Sequence, residues 1–201
     1  MTVPRVLSLD GEGRLLIEPV EELNVLRLHH RKRDPFTLVD GKELDLEEVR
    51  GDSLELGLEV DMKDARTFVI KVRCSPDSEE ETPITFDAVD KEIRIDTTRS
   101  SLRKDIKQPW PHPLTAYWDY GESKEDVRVQ RAPFELAPGE KLSLRIYLDR
   151  SILEVFANGR QCITQRIYPD RADSLGVVLS CSGGDTRVSL DAWDMAPANA
   201  W

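Results

Sequence analysis

The chain has 201 residues, of which 39% are hydrophobic and 33% are charged, and its formal net charge is -10. This size suits one globular domain that buries its own core without disulfide or metal support. The acidic balance argues against a nucleic-acid partner, because phosphate backbones are bound by basic faces. No apolar run reaches the roughly 18 residues of a membrane span, so we expect no membrane partner.

The cysteines and histidines do not form a recognisable ligand set. Cys74, Cys162 and Cys181 are far apart in the sequence and cannot all pair within one chain, so a disulfide framework is not expected. No Cys-x-x-Cys spacing occurs, and the adjacent His29 and His30 would point to opposite faces of a strand. We therefore expect no metal and no cofactor.

Short candidate strands separated by polar turns recur along the chain. The run from Leu54 to Val60 alternates apolar and polar residues, which predicts a half-buried strand. The run from Thr67 to Cys74 is rich in β-branched residues and predicts the neighbouring strand. Gly183-Gly184-Asp185 is a hairpin signal between two later runs. The other strands predicted outside the next stretch cover residues 84–88, 92–96, 127–134, 175–181 and 187–193.

The most strongly specified stretch runs from Lys141 to Pro169. Alternating residues from Leu142 to Leu148 predict a first strand, and Ile152 to Ala157 and Gln161 to Tyr168 predict two more. Asn158-Gly159, between the second and third strands, readily accepts the two positive φ angles of a tight turn. Three consecutive strands on short turns predict an antiparallel meander.

This density of strands predicts the fold class. About ten or more short strands at this spacing, without a sustained helical stripe, are typical of an all-β protein. We therefore expect one domain over residues 1–201. It should be a β-sandwich of two antiparallel sheets, jelly-roll or concanavalin-like, with no long helices.

Three pieces of the meander carry a family resemblance. Asp149-Arg150-Ser151, Glu154 to Gly159 and Arg166 to Pro169 resemble the signature near the end of glycoside hydrolase family 32, the invertases, levanases and inulinases. In that family the signature lies in the C-terminal β-sandwich, whereas a β-propeller carries the catalysis. The resemblance therefore implies a non-catalytic accessory domain of a β-fructosidase. Its parent would hydrolyse sucrose or fructans, and the catalytic propeller would be its partner.

The first 27 residues resemble the family's junction between propeller and sandwich. Pro4-Arg5 matches the pair that opens a strand there, and Pro19-Val20 and Leu26-Arg27 match the segment that follows. We therefore expect Met1 to be internal to a longer parent, and this leaves the cellular compartment open. Residues 102–125 fit the family less well and are expected to be an insertion loop, while residues 196–201 are expected to be a tail.

The resemblance also implies that the catalytic residues lie outside this chain. The family draws its nucleophile from an Asn-Asp-Pro motif and its acid from a Glu-Cys motif, and neither an Asn-Asp nor a Glu-Cys dipeptide occurs here. Arg33-Asp34-Pro35 spells the family's third motif, but it follows the junction in a predicted polar loop, so we assign no catalytic residue. Glu154 is expected to pair with Arg145 or Arg166 across the sheet, or with the propeller.

An aromatic cluster between prolines is the remaining candidate for binding. Trp110, Trp118 and Tyr120 belong to it, in a chain that is only 6% aromatic. Exposed rings can stack on sugars, which makes a fructan- or carbohydrate-binding module the alternative function. The competing interpretations are that the rings fill a cluster beneath a loop or cover the seam with the propeller. A sandwich without its propeller would expose that seam, so self-association is a further hypothesis.

Overall fold

The computed structural model describes residues 2–107 and 126–198, and it confirms the all-β prediction. Within these residues the chain forms strands and one short 3-10 helix, Glu21–Leu26, and no helix long and apolar enough to cross a membrane. The strands are β1 (Arg5–Leu9), β2 (Leu15–Pro19), β3 (Arg27–Leu38), β4 (Glu43–Asp45), β5 (Ser53–Asp61), β6 (Thr67–Cys74), β7 (Thr82–Asp87), β8 (Glu92–Asp96), β9 (Val129–Pro133), β10 (Leu142–Asp149), β11 (Ile152–Ala157), β12 (Gln161–Arg166), β13 (Gly176–Ser182) and β14 (Thr186–Met195).

Two six-stranded sheets pack against each other through one hydrophobic core. Sheet A has the strand order β12-β11-β10-β5-β14-β3, and sheet B has the order β4-β13-β6-β7-β8-β9. All neighbouring strands within each sheet are antiparallel. β1 and β2 form a separate hairpin ahead of both sheets. The predicted sandwich of two antiparallel sheets is therefore confirmed.

The inner faces of the two sheets supply the core, as the two-residue period predicts. The inward residues of β5, from Leu54 to Val60, and those of β10, from Leu142 to Leu148, are at most 2% exposed. From sheet B, Phe86 packs edge-on against Phe134 with the ring centroids 5.9 Å apart. The outward residues of the same strands are therefore the ones left to build a functional surface.

The meander from β10 to β12 has the predicted form. The three strands are consecutive neighbours in sheet A, and the turn between β11 and β12 has φ angles of 47° at Asn158 and 61° at Gly159. The Asn158 side chain accepts a hydrogen bond from the Ser143 N–H at 2.8 Å and donates one to the Lys141 carbonyl at 2.8 Å. These bonds tie the turn to the start of β10.

Two of the predicted strand pairings are wrong. β5 does not pair with β6, and Gly183-Gly184 does not close a hairpin between β13 and β14, because both connections cross from one sheet to the other. A Cβ added at Gly183 would lie 2.9 Å from Cβ of Arg66, and one at Gly184 would lie 3.0 Å from N of Ala65. The two crossings thus pack against each other. Alternation identifies the inner face of a strand but does not say which sheet it joins.

β3 is a strand that the sequence pattern does not predict. It forms the outer edge of sheet A beside β14, and its register shifts opposite Ser189 and Trp193. Pro35, which has no N–H to donate, lies at the first of these irregularities. Bulges, a proline and the basic residues from Arg27 to Arg33 are features that prevent an edge strand from pairing with another molecule. Arg33-Asp34-Pro35 consequently lies on an edge strand and not in the predicted polar loop.

Replacing Gly159 by Ala is expected to destabilise the meander. A Cβ at this left-handed position would lie 3.2 Å from Cγ of Glu18, and a left-handed residue with a Cβ costs about 1 to 2 kcal/mol. We expect urea denaturation to show a loss of about that size in the free energy of unfolding. Gly11→Ala is the control, because nothing lies within 4 Å of its added Cβ and its φ is not left-handed. Equal losses of unfolding free energy in the two variants would contradict the requirement for glycine at the left-handed position 159.

Candidate functional site

The outer face of sheet A, which points away from the core, carries buried charged groups. Glu55 of β5 and Glu154 of β11 lie on this face, yet their side chains are only 0% and 1% exposed. Buried carboxylates need charged or hydrogen-bonding partners. Partners for both come from the N-terminal segment, which we define as residues 2–27 and which precedes the main run of β3.

Glu55 accepts hydrogen bonds from three side chains. Arg27 donates through Nε to Oε2 at 2.8 Å and through Nη2 to Oε1 at 2.6 Å. Arg145 donates through Nε to Oε1 at 2.7 Å, and the Tyr147 hydroxyl donates to the same oxygen at 3.1 Å. Burial by itself raises the pKa of Glu55, but the hydrogen bonds from the two arginines outweigh it and hold that pKa below its ordinary value. An ionised carboxylate in this state is unsuited to act as a general acid.

Trp193 of β14 lies opposite Glu55 in the ladder and extends the same network. The Arg27 guanidinium lies over the indole, 4.0 Å from the ring centroid, and His30 stacks on it with 4.8 Å between centroids. Burial, followed by the charge of Glu55, raises the pKa of Tyr147, so that hydroxyl stays a proton donor. Because Arg27 and His30 both pack on its indole, Trp193 holds the start of β3 against sheet A.

Glu154 holds the other end of the N-terminal segment. Arg5 donates through Nη2 to Glu154 Oε2 at 2.5 Å, and the Val3 N–H donates to Oε1 at 2.6 Å. Thr164 of the neighbouring strand donates its hydroxyl to Oε2 at 3.3 Å. The sequence predicted Arg145 or Arg166 as the partner of Glu154, whereas the structure pairs this carboxylate with Arg5, because the N-terminal segment crosses the outer face at this point.

The β1–β2 hairpin presents apolar side chains to solvent. Leu7, Leu9 and Leu15 are 64%, 68% and 50% exposed, and they share one face of the hairpin because Leu9 pairs with Leu15 and Leu7 precedes Leu9 by two residues. The hairpin contacts sheet A through the Ile17 N–H, which donates to the Gly159 carbonyl at 2.6 Å. Exposed apolar residues that cluster on one element are typical of an interaction surface. We call Leu7, Leu9 and Leu15 the apolar patch.

Two open grooves run along the outer face next to these groups. One, of about 300 Å³, is bordered by Arg27, Glu55 and Trp193, and the other, of about 350 Å³, is bordered by Glu18 and Phe156. Ser143 and Arg145 border both grooves. Because the charged groups at their centre already bond one another, this relief suits a surface that packs against a partner better than an enclosed substrate pocket.

Asp34 and Glu154, the two carboxylates weighed in the sequence, lie on β3 and β11 towards opposite edges of sheet A and are not brought together. Asp34 lies exposed on β3, next to Arg33, which pairs with Glu48 at 3.2 Å. Trp110, Trp118 and Tyr120 lie outside the described residues, so their role stays a prediction. Where the structure describes the chain, it contains no group of three or more His, Cys, Asp or Glu suited to a metal ion.

The sequence pattern does not identify Glu55 and its arginine partners, which form the main hydrogen-bond network of the outer face. Glu55 and Glu59 both alternate with apolar residues in β5, yet Glu55 is buried and Glu59 is exposed. The difference depends on Arg27 and Arg145, which are 28 and 90 residues away in the chain. The basic run that begins at Arg27 was the available signal, since an acidic chain with one basic segment invites a search for its acidic partner.

Glu55→Gln is expected to lower the free energy of unfolding by roughly 2 kcal/mol at pH 7, since it leaves two guanidinium groups without their carboxylate. The folded-state pKa of Glu55 is lowered from 4.5, so its contribution is fully present above that value and is lost as the pH falls through the folded pKa. Denaturant titrations from pH 7 to pH 3 should show the two proteins converging at the acidic end. Glu59→Gln, on the same strand, is the control with a change under about 0.5 kcal/mol. A difference in unfolding free energy between the wild type and Glu55→Gln that does not change with pH would contradict the stabilising role of the Glu55 charge.

Known proteins similar to this chain align with nearly all of it but extend well beyond it. Fructan 1-exohydrolase from Aegilops speltoides is 27% identical over 241 aligned residues, which cover 98% of this chain and 37% of that protein. Beta-fructofuranosidase insoluble isoenzyme 4 from Oryza sativa subsp. japonica is 28% identical, with the same two coverages. The chain therefore spans little more than a third of the length of these curated relatives.

Solved structures share the fold. Fructan 1-exohydrolase IIa from Cichorium intybus superposes with a TM-score of 0.80 at 22% identity, over 98% of this chain and 41% of that chain. Exo-inulinase from Aspergillus awamori superposes with a TM-score of 0.71 at 23% identity, over 98% and 36%. The sequence model described as "Glycosyl hydrolases family 32 C terminal" matches residues 22–194. That match takes in both six-stranded sheets, so the chain belongs to glycosyl hydrolase family 32 as a C-terminal domain of that family.

Proposed function

We propose that this chain is the non-catalytic C-terminal sandwich of a β-fructosidase, and that it stabilises the catalytic propeller of its parent. The parent's substrates would be sucrose or fructans, in line with the relatives that are called fructan 1-exohydrolase and beta-fructofuranosidase. The observation that carries the proposal is the membership in the C-terminal family by a chain that spans about 37% of those relatives.

The composition of the sequence supports a non-catalytic role. Glycoside hydrolysis needs a pair of carboxyl groups placed across the scissile bond, one of which is protonated before reaction. The Asn-Asp and Glu-Cys pairs expected of the parent's catalytic centre are absent from all 201 residues. Glu55, which is the buried carboxylate with the most side-chain donors on the outer face, has a pKa below its ordinary value and bonds to arginines. It therefore lacks the property that a general acid requires.

The apolar patch supports a docking role for the N-terminal side of the domain. It lies on the β1–β2 hairpin, ahead of residue 22, where the family match begins. A two-stranded hairpin is only marginally stable alone. A partner that covers it would bury apolar surface on both molecules and so stabilise both. A preceding propeller would meet this hairpin first, because the hairpin is the part of the chain nearest to it in sequence.

The buried ion pairs support a fixed orientation for that partner. Arg5–Glu154 and Arg27–Glu55 hold the N-terminal segment at two points on sheet A, with N–O distances of 2.5 and 2.6 Å. Two anchors restrict the rotation of the segment more than a single anchor would. A propeller joined through it would therefore be held against the outer face and would not swing freely on a flexible linker.

The purified chain is expected to release no fructose from sucrose or inulin. The reason is the missing pair of catalytic carboxyl groups, and the measurement is a fructose assay over a day at pH 5 to 7 with a family 32 exohydrolase as the positive control. A fructose-releasing activity that copurifies with the chain through two columns would overturn the proposal. The activity would have to be lost in Glu154→Gln and kept in Glu59→Gln.

The apolar patch is expected to drive weak self-association of the isolated chain. Leu7→Ser should weaken that association about tenfold in sedimentation velocity, because one buried leucine contributes about 1.5 kcal/mol or more. Val89→Ser is the matched control, since Val89 is 63% exposed compared with 64% for Leu7 and follows β7 in sheet B. A wild-type chain that remains monomeric at high concentration would count against an uncovered docking surface.

The sugar-binding alternative rests on the aromatic cluster. Trp110, Trp118 and Tyr120 are concentrated in a segment of a chain with 6% aromatic residues. If the rings stack on fructose units, calorimetric titration with inulin should give a measurable heat that Trp118→Ala abolishes, while Trp193→Phe retains it. No heat at millimolar sugar would remove this alternative and leave the docking role in place.

A further inference from the structure

A pocket at the loop end of the sandwich, distant in sequence from the apolar patch, contains a concentration of arginines. Its volume is about 310 Å³, within the range of small-molecule sites. It opens between the start of β5, the end of β6, the β10–β11 turn and the segment after β12. The lining residues that matter for binding are Asp52, Arg73, Arg103, Arg150, Tyr168 and Asp170.

Arg73 is a buried cation in the lining of this pocket. It is only 7% exposed, and its guanidinium donates to two backbone carbonyls, from Nε to Ser174 at 2.6 Å and from Nη1 to Arg150 at 3.0 Å. Within residues 2–107 and 126–198 it forms no ion pair with a carboxylate. Burial lowers the pKa of Arg73, which reflects the unfavourable desolvation of the charge. The charges of Asp52 and Glu80 offset only part of this cost, because neither carboxylate pairs with the guanidinium directly. A buried cation whose direct hydrogen bonds go to neutral carbonyls is a site where an anion would be favoured.

The backbone around the pocket is held in a conformation that needs support. Arg73 and Arg150 both have φ angles of 52°, in the left-handed region that residues with a Cβ rarely adopt. The Arg150 N–H donates to the Asp52 carbonyl at 2.6 Å, and the Ile167 N–H donates to the Ser151 carbonyl at 2.9 Å. Such conformations cluster at binding sites, because the surrounding structure must be arranged to maintain them.

Glu80 fixes the loops on the far side of the pocket. Its carboxylate is 0% exposed and accepts bonds from the N–H groups of Leu102 at 3.0 Å and Asp170 at 2.8 Å. It also accepts a bond from the Ser174 hydroxyl at 2.5 Å. The segments that contain Arg103 and Asp170 are thereby joined, so the lining is preorganised for a ligand and does not need to fold around one.

The chemistry of the lining defines the class of ligand. Arg73 and Arg150 form no ion pair among the described residues and offer charged donors, which favour phosphate, sulfate or carboxylate. Asp52 and Asp170 supply acceptors for hydroxyl groups, and the Tyr168 ring supplies an apolar wall. We propose that this pocket binds a monosaccharide-sized polyol that bears one oxyanion group. Arg150 and Arg73 contact the oxyanion, and the carboxylates contact the hydroxyl groups.

The test uses isothermal titration of the whole chain in a low-salt buffer free of phosphate and sulfate. The probes are glucose 6-phosphate, glucuronate, inorganic phosphate and, as the uncharged match, glucose. We expect the first two to bind more tightly than inorganic phosphate, and glucose to give no heat. Binding should weaken as sodium chloride is added, because the attraction is electrostatic and partly exposed.

Arg150→Ala is the decisive variant, because Arg150 is exposed and its replacement spares the core. We expect it to weaken glucose 6-phosphate binding at least about tenfold, as the loss of one charged hydrogen bond implies. Arg131→Ala, an exposed arginine on β9, is the control and should bind like the wild type. Arg73→Met, checked for folding by circular dichroism, should abolish binding. Three results would overturn the proposal: no heat with glucose 6-phosphate up to about 10 mM, equal affinity for glucose, or unchanged affinity in Arg150→Ala.

Discussion

The buried carboxylate of Glu55 is the interaction on which the outer face of sheet A depends. It lies on a central strand, is fully buried, and satisfies its charge with Arg27 from the start of β3 and Arg145 from β10. One ionised group therefore connects the N-terminal segment to the middle of the sheet. Because a buried charge without partners is very unfavourable, Arg27 and Arg145 must stay close to Glu55, which restricts where the N-terminal segment can lie. The same network orders Trp193 and His30 beside Arg27.

Charge and apolar surface have different roles at this face. The pairs Arg5–Glu154 and Arg27–Glu55 fix position and direction, as electrostatic complementarity commonly does at interfaces. The apolar patch on the β1–β2 hairpin offers the surface whose burial supplies free energy. A domain with both features is suited to holding a neighbouring domain in one orientation. These are the features that the proposed accessory role in a family 32 enzyme requires.

Whereas the outer face of sheet A carries docking contacts, the loop end of the sandwich carries a pocket. There the strands finish, and two arginines with left-handed backbones meet around a pocket that no docking contact described above occupies. Two pieces of the family signature, Arg150-Ser151 and Tyr168-Pro169, line this pocket, whereas Glu154 of the third piece serves the outer face. The signature therefore marks two separate structural sites and not one. Loops positioned by a rigid sandwich are a common place for binding functions.

The sequence by itself determined most of the strands, though not β3 or β4, and it also determined the meander with its Asn158-Gly159 turn, the family and the absence of catalytic motifs. These follow from local periodicity and from short motifs, which a single chain displays directly. Only the tertiary structure decided that β5 and β6 belong to opposite sheets, that Glu55 is buried while Glu59 is exposed, and that Arg5 pairs with Glu154 across 149 residues. The reason is that a two-residue period fixes which way a side chain points, whereas its partner depends on which distant segment crosses that face.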